Sequence, residues 1–346
     1  MKKILIAPLN WGLGHATRCI PIINALIANN FEPIVASDGE ALILLRKEFP
    51  NIKYYGLPSY NIRYSKRNKL KYKLFLSIPR ILKAIKKEAN EIEEIITKEN
   101  LSGIISDNRF GVRNTKIPSV YITHQLNVFS GSTTLITSRL HQQIISKFDE
   151  CWVPDSMSES RLSGKLTDIK NKNIKVRFVG TLSRFDKTPA SKKYDLLIVL
   201  SGPEPQRSIL EQKLLIQLKA FDKKVLLVRG VITDDKVPYL NDMIKVVNYM
   251  LTEELQQALN ESKVVLARSG YSTIMDLAKL EKRAFFIPTP GQFEQEYLAQ
   301  RMDELNIAPF TDQDSFKIKM LDRTTEYDGF NKTRHKNLNA DLFDLF

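Results

Sequence analysis

Two cysteines, Cys19 and Cys151, stand in a chain of 346 residues, too few for a disulfide framework or a four-ligand zinc site. Both fall in apolar runs, which points to buried thiols and a reducing compartment. No stretch approaches the roughly 18 consecutive apolar residues of a membrane span. The amino-terminal apolar run stops at Pro8 and Asn10, short of a signal peptide. Zinc-finger spacing, an RNA-binding sheet signature and a helix-turn-helix pattern are all missing, so nucleic acid is not an expected partner. A cytoplasmic protein, with any membrane contact peripheral and on the inner face, is the expectation.

Acidic residues are also missing where basic ones crowd. From Lys53 to Lys87 there are eleven Lys or Arg and no Asp or Glu, interleaved with tyrosines and leucines, in a chain of net charge +13. Basic groups beside apolar ones suit an anionic membrane surface, at about 1 kcal/mol for each basic residue near it. A solvated lysine-rich face is the plainer alternative.

Apolar content of 43% and charged content of 26% are those of a folded chain, and the length suits two domains. Short Ile/Val/Leu runs alternate with amphipathic segments, the pattern of an α/β protein with parallel sheets. "KILIAPL", "EPIVASD", "IKYYGL", "SGIISD", "IPSVYIT", "ECWVPD" and "IKVRFVG" read as strands, with helices at Ala16 to Asn29, Gly39 to Glu48 and about Ser77 to Asn100. The pattern restarts with "YDLLIVLSG", "KVLLVRG", "IKVVNY", "KVVLARSG" and "RAFFIPTPG". The polar stretch between halves predicts domains at 1–183 and 194–346 joined by a linker at 184–193. Two doubly wound domains facing each other across a cleft is the expected architecture. The closing "NKTRHKNLNADLFDLF" reads as a tail or a docking helix.

In such sheets ligands bind beyond the carboxyl ends of the strands. The first such turn, "LNWGLGHATRC", has Gly12 and Gly14 but Thr17 where a dinucleotide motif has its third glycine. Asp38 lies where that motif places a ribose carboxylate, which leaves an NAD-binding reading open. His15 falls in the first turn of the following helix, whose dipole disfavours imidazolium and keeps the ring available as a base. Asp107 and His124 also follow strands directly, so the three polar groups can converge.

In the second half, Ser269 and Gly270 end a strand and open a helix whose free N–H groups can hold a phosphate. Arg268 adds charge there, Asp276 can accept from ribose hydroxyls, and Gln295 and Glu296 open the next helix within reach of sugar hydroxyls. "DQD" at Asp312 to Asp314 has a metal-binding look but follows no strand, and a helix cap is the better reading.

With these motifs the chain resembles glycosyltransferases of the GT-B fold, two Rossmann-like domains, and within them family 28, which includes bacterial peptidoglycan N-acetylglucosaminyltransferases and plant monogalactosyldiacylglycerol synthases. The resemblance covers the Gly-x-Gly-His turn, "THQLNVFSG", "VGTLSR", "LSG" and Arg268 to Gln300, the last being the most specific. It implies an inverting transfer from a nucleotide sugar, a UDP-sugar in most members, to a hydroxyl on a lipid-linked or cell-envelope glycan acceptor, without metal or other cofactor.

By that resemblance Asp276 binds the ribose, Gln295 and Glu296 face the donor sugar, and Ser201, Gly202, Ser269 and Gly270 approach the diphosphate, with Thr273 in the same signature. Arg184 neutralises the diphosphate, and the main chain at Met250 meets the base. His15 becomes the general base, Asp107 or His124 orients it or binds acceptor, and Gly12 and Gly14 shape the acceptor-side loop. Two departures stand out: Asp276 replaces the usual Glu, and "SGPEPQR" replaces a glycine-rich loop, its prolines removing N–H donors. A nucleotide-sugar epimerase of similar fold and a non-catalytic nucleotide-sugar-binding protein are the competing readings.

Overall fold

The computed structural model describes residues 1–60, 70–168, 171–231, 233, 236–332, 338 and 340–346; for 70–80 and 332 it describes backbone alone. The chain divides into two compact units, Met1–Ser183 with His335–Phe346, and Arg184–Arg334.

In the first unit the elements are β1 (Lys3–Pro8), α1 (Gly14–Ala28), β2 (Glu32–Ser37), α2 (Gly39–Glu48), β3 (Lys53–Gly56), α3 (Leu70–Glu99), β4 (Gly103–Asp107), β5 (Ser119–Ile122), α4 (Thr134–Ile145), β6 (Glu150–Val153) and β7 (Val176–Phe178). The seven strands form one sheet in the order β3-β2-β1-β4-β5-β6-β7, every neighbouring pair parallel. Ile4, Leu5, Ile6 and Ala7 are all fully buried in β1, because helices cover both faces of a parallel sheet and the strand must be apolar on both. One face packs on α1 through Ala16, Cys19, Ile20, Ile22, Ile23 and Leu26, the other on α3 through Ile92 and Ile95.

The second unit holds β8 (Tyr194–Val199), α5 (Gln206–Leu218), β9 (Val225–Val228), β10 (Ile244–Val247), α6 (Thr252–Asn260), β11 (Ser262–Ala267), α7 (Tyr271–Lys279), β12 (Arg283–Phe286) and α8 (Phe293–Glu304). Its sheet runs β10-β9-β8-β11-β12, again wholly parallel. In both sheets the first strand of the unit lies inside, with later strands added on either side, the doubly wound order.

Two boundary expectations are corrected. The last residues belong to the first unit: Leu342, Phe343 and Phe346 enter the core around Trp152, with ring centroids of Phe343 and Phe346 each 6.2 Å from Trp152. Lys2 Nζ donates to the Phe346 main-chain oxygen at 2.5 Å, and Arg177 Nη2 to that of Asp341 at 2.6 Å. Residues 184–193 are not a free linker. Phe185 is buried, the Asp186 amide donates to Gln256 Oε1 at 2.7 Å, and Lys192 Nζ donates to the Asn260 carbonyl at 2.6 Å, which fastens the segment to α6.

Candidate functional site

The order β2-β1-β4-β5 brings the carboxyl ends of these four strands to one edge of the first unit. Gly12, with φ +76°, lets the chain turn from β1 into α1, and Trp11 beside it is exposed. His15 is the second residue of α1, and no side chain caps that helix. The Nδ1 of His15 lies 2.7 Å from Asp107 Oδ1 at the end of β4. Asp107 is fully buried, and burial alone would raise its pKa; Arg18 and His15 outweigh that and hold it far below the usual carboxylate range. An ionised carboxylate at this distance requires a proton on Nδ1, which leaves the His15 lone pair on Nε2.

Burial lowers the His15 pKa, and although Asp107 opposes the shift, Arg18 and His124 add to it. The ring is therefore neutral at neutral pH. Arg18, itself buried, donates Nε to Asp107 Oδ2 at 2.5 Å and Nη2 to Oδ1, and its Nη1 lies 2.9 Å from His124 Nδ1. Cys19 Sγ adds a contact to Oδ2 at 3.6 Å. His15, Asp107 and His124 thus belong to one buried polar cluster with Arg18 at its centre.

Asp38 does not wait for a ribose. Its carboxylate pairs with the fully buried Arg109, Nη1 to Oδ1 at 2.8 Å, while Arg109 Nε meets Glu88 Oε1 at 2.5 Å. This neighbouring network holds the base of the turn, since Asn10 Nδ2 also reaches Asp38 at 3.4 Å.

In the second unit, β8, β11 and β12 are adjacent, so the turns holding Ser201–Gly202, Ser269–Gly270 and Thr289–Gln295 share one edge. Ser269 Oγ donates to the Gln295 carbonyl at 2.7 Å, and the Thr289 amide to Gln295 Oε1 at 2.8 Å. Glu296 Oε1 accepts from the Gly291 amide at 2.9 Å. These groups brace the turn into α8. Gly202 takes φ +101°, and a Cβ there would lie 3.4 Å from the buried Thr289 Oγ1.

Arg268 is turned into the unit. It is 1% exposed and donates Nη1 to the Ile287 and Pro288 carbonyls, each at 3.1 Å, and Nη2 to the Gln206 carbonyl at 2.9 Å and Gln313 Oε1 at 2.6 Å. Burial lowers its pKa to about 10. The guanidinium is a bolt through the three turns, its Nη1 and Nη2 engaged by acceptors of the chain itself. Gln313, which completes it, lies inside "DQD"; Asp312 there accepts from the Ser315 amide at 2.8 Å in a turn, not at a helix cap.

The two helix entrances differ. At α5, Glu204 already accepts from the Ser208 amide at 3.2 Å and from Arg207 Nε at 2.6 Å, so a carboxylate of the chain itself occupies that N-terminus. At α7, Gly270 is the N-cap and no side chain caps the helix. Thr273 lies in its first turn, and half-buried Asp276 follows on the next. Arg184 Nη1 donates to Thr252 Oγ1 at 3.0 Å, at the start of α6, just after half-buried Met250.

Among the described residues no group of three or more His, Cys, Asp or Glu is placed to hold a metal ion, and no helix is long and apolar enough to cross a membrane. Of the basic segment 53–87, Arg63, Lys66, Arg67 and Lys69 lie outside the described residues, as do the side chains of Lys71, Lys73 and Arg80.

Residues 199–341 match the glycosyltransferase family 28 C-terminal domain. The chain is 22% identical over 312 residues to an uncharacterized glycosyltransferase of Methanopyrus kandleri, covering 84% of each. Among solved structures, MurG of Acinetobacter baumannii is similar with a TM-score of 0.60 at 13% identity, over 100% of this chain and 99% of that one. The glycosyltransferase SnogD from Streptomyces nogalater is similar with a TM-score of 0.64 at 12% identity, over 96% and 92%. At such identities the structural likeness speaks to the fold, two Rossmann-like α/β units of the GT-B kind.

Proposed function

We propose that this chain, a glycosyltransferase of the GT-B type with a family 28 C-terminal domain, moves a sugar from a UDP-sugar to a hydroxyl acceptor with inversion at the anomeric carbon. The observation that carries the mechanism is the 2.7 Å contact between His15 Nδ1 and Asp107 Oδ1. Asp107 fixes the ring with its lone pair at Nε2, and that nitrogen takes the proton from the acceptor hydroxyl as its oxygen attacks the anomeric carbon. The new C–O bond forms as the bond to the diphosphate breaks, and UDP departs. A single displacement inverts the centre.

The donor belongs to the second unit. The uncapped start of α7 at Ser269 and Gly270 offers main-chain N–H groups to the diphosphate, aided by Arg184. Asp276 accepts from the ribose, the main chain at Met250 meets the uracil, and the turn braced by Gln295 and Glu296 meets the sugar. Ser201 and Gly202 play a smaller part than the family pattern implies, because Glu204 holds the neighbouring helix start. Nothing in this assignment calls on a metal ion.

The acceptor is lipid-linked or a cell-envelope glycan. Support comes from the basic segment 53–87 and from Leu135, Ile136 and Leu140, which stand exposed on α4 of the first unit. Both suit peripheral attachment to an anionic membrane.

Calorimetric titration with UDP, GDP, TDP and NADH tests the donor assignment. Preferential UDP binding that is lost in Asp276→Ala is the expected result. Binding of NADH alone, or unchanged UDP affinity in Asp276→Ala, rejects it, and turnover of a UDP-sugar to an isomeric one without acceptor would make the chain an epimerase.

A further inference from the structure

Arg18 stands between two imidazoles that need opposite things from it. Against His15, the Arg18 Nη2 and the ring Nδ1 lie 3.0 Å apart and converge as two donors on Asp107 Oδ1. Against His124, the Arg18 Nη1 lies 2.9 Å from the ring Nδ1. A guanidinium has only protons to offer, so the His124 Nδ1 carries a lone pair and its proton sits on Nε2. His15, which donates its Nδ1 proton to Asp107, is the reverse.

We infer that Arg18 is a positioning residue that holds His15 and His124 in opposite tautomers, the first with a proton-accepting Nε2 and the second with a proton-donating Nε2. An acceptor hydroxyl that reaches His15 then meets a base of fixed identity. This significance rests on the reading of His15 as the base.

The same arginine also acts on the charge of His15. The groups acting on His15 are Asp107 from β4, Arg18 from α1 and His124 from the turn after β5, while Cys19 meets Asp107 Oδ2. Burial does most to keep His15 neutral; Asp107 draws a proton toward the ring, and Arg18, which engages both carboxylate oxygens, offsets part of that pull. A buried pair of this kind leaves a strong charge behind when one partner is removed.

Long-range 1H–15N spectra of the full chain labelled at its four histidines test this, with His15→Gln and His124→Gln assigning the signals. At neutral pH the expected spectrum has His15 as the Nδ1–H form and His124 as the Nε2–H form. Either ring in the other form, or His15 as imidazolium, overturns the inference. In Arg18→Met the His15 midpoint should rise by about one pH unit or more, as an unshielded carboxylate would produce, and the acid limb of kcat/KM should move with it. Arg18→Lys, which keeps the charge but not the fork, should leave His15 in its form while His124 becomes a mixture of both; an unaltered His124 signal there counts against the inference. The spectra need no turnover. Correct tautomers without transfer from any donor would sink the proposed function alone, and transfer with reversed tautomers would sink this inference alone.

Discussion

His15 Nδ1 and Asp107 Oδ1 are 2.7 Å apart, although 92 residues separate them in the chain. Because β1 and β4 are parallel neighbours, the helix that follows one and the end of the other share an edge of the sheet. Asp107→Asn keeps the shape and removes the charge. Its expected effect is a roughly 10²–10⁴-fold fall in kcat, since the base loses its fixed tautomer. It should also lower stability by about 3–5 kcal/mol, since Arg18 is left as an uncompensated buried cation. Turnover and chemical denaturation of the same variant read both.

Stability of the chain should fall on mild acidification. Burial lowers the pKa of His141 from 6.5 to about 4, with a backbone hydrogen bond to Gln125 opposing and His124 adding to the shift. Between those values the unfolded chain binds a proton that the folded chain refuses, so stability drops as pH falls from 6.5 toward 4. The His141 share is roughly 3 kcal/mol, and His15 contributes with the same sign. Asp107, with a depressed pKa, keeps its contribution across this range and loses it progressively as pH falls below its ordinary value of 3.8. Denaturation midpoints across this range, compared between wild type and His141→Phe, should show a flatter profile in the variant.

Arg268→Met should destabilise the second unit by about 1–3 kcal/mol, because the carbonyls of Ile287, Pro288 and Gln206 lose a buried donor. Arg268→Lys should not restore it, since one ammonium cannot span acceptors arranged around a planar fork. UDP affinity of the folded variant should change little. A folded Arg268→Met protein that no longer binds UDP would put the guanidinium in contact with ligand.

The strands were readable because burial on both faces forces short continuous apolar runs such as "KILIAPL" and "YDLLIVLSG", bounded by turn residues. His15, Asp107 and His124 were readable for a related reason: polar residues placed directly after such strands collect at one edge. Arg18 was not. It sits inside the apolar run "HATRCIPII", and its partner Asp107 is 89 residues away; the available signal was a charge three residues after His15, on the side of α1 that carries Cys19. The inward turn of Arg268 to Gln313 was not legible, because adjacency to "SGY" does not reveal where the side chain points. The tail was assigned by proximity in sequence, whereas Phe343 and Phe346 find their apolar surface around Trp152.

The most direct test of His15 as the base is the turnover of His15→Ala, measured as UDP release from a UDP-sugar with a lipid-linked acceptor mixture, beside UDP affinity on the same sample. The expected result is a roughly 10²–10⁴-fold fall in turnover with nucleotide affinity preserved. A His15→Ala protein that turns over as fast as wild type, or one that folds but no longer binds UDP, would contradict it.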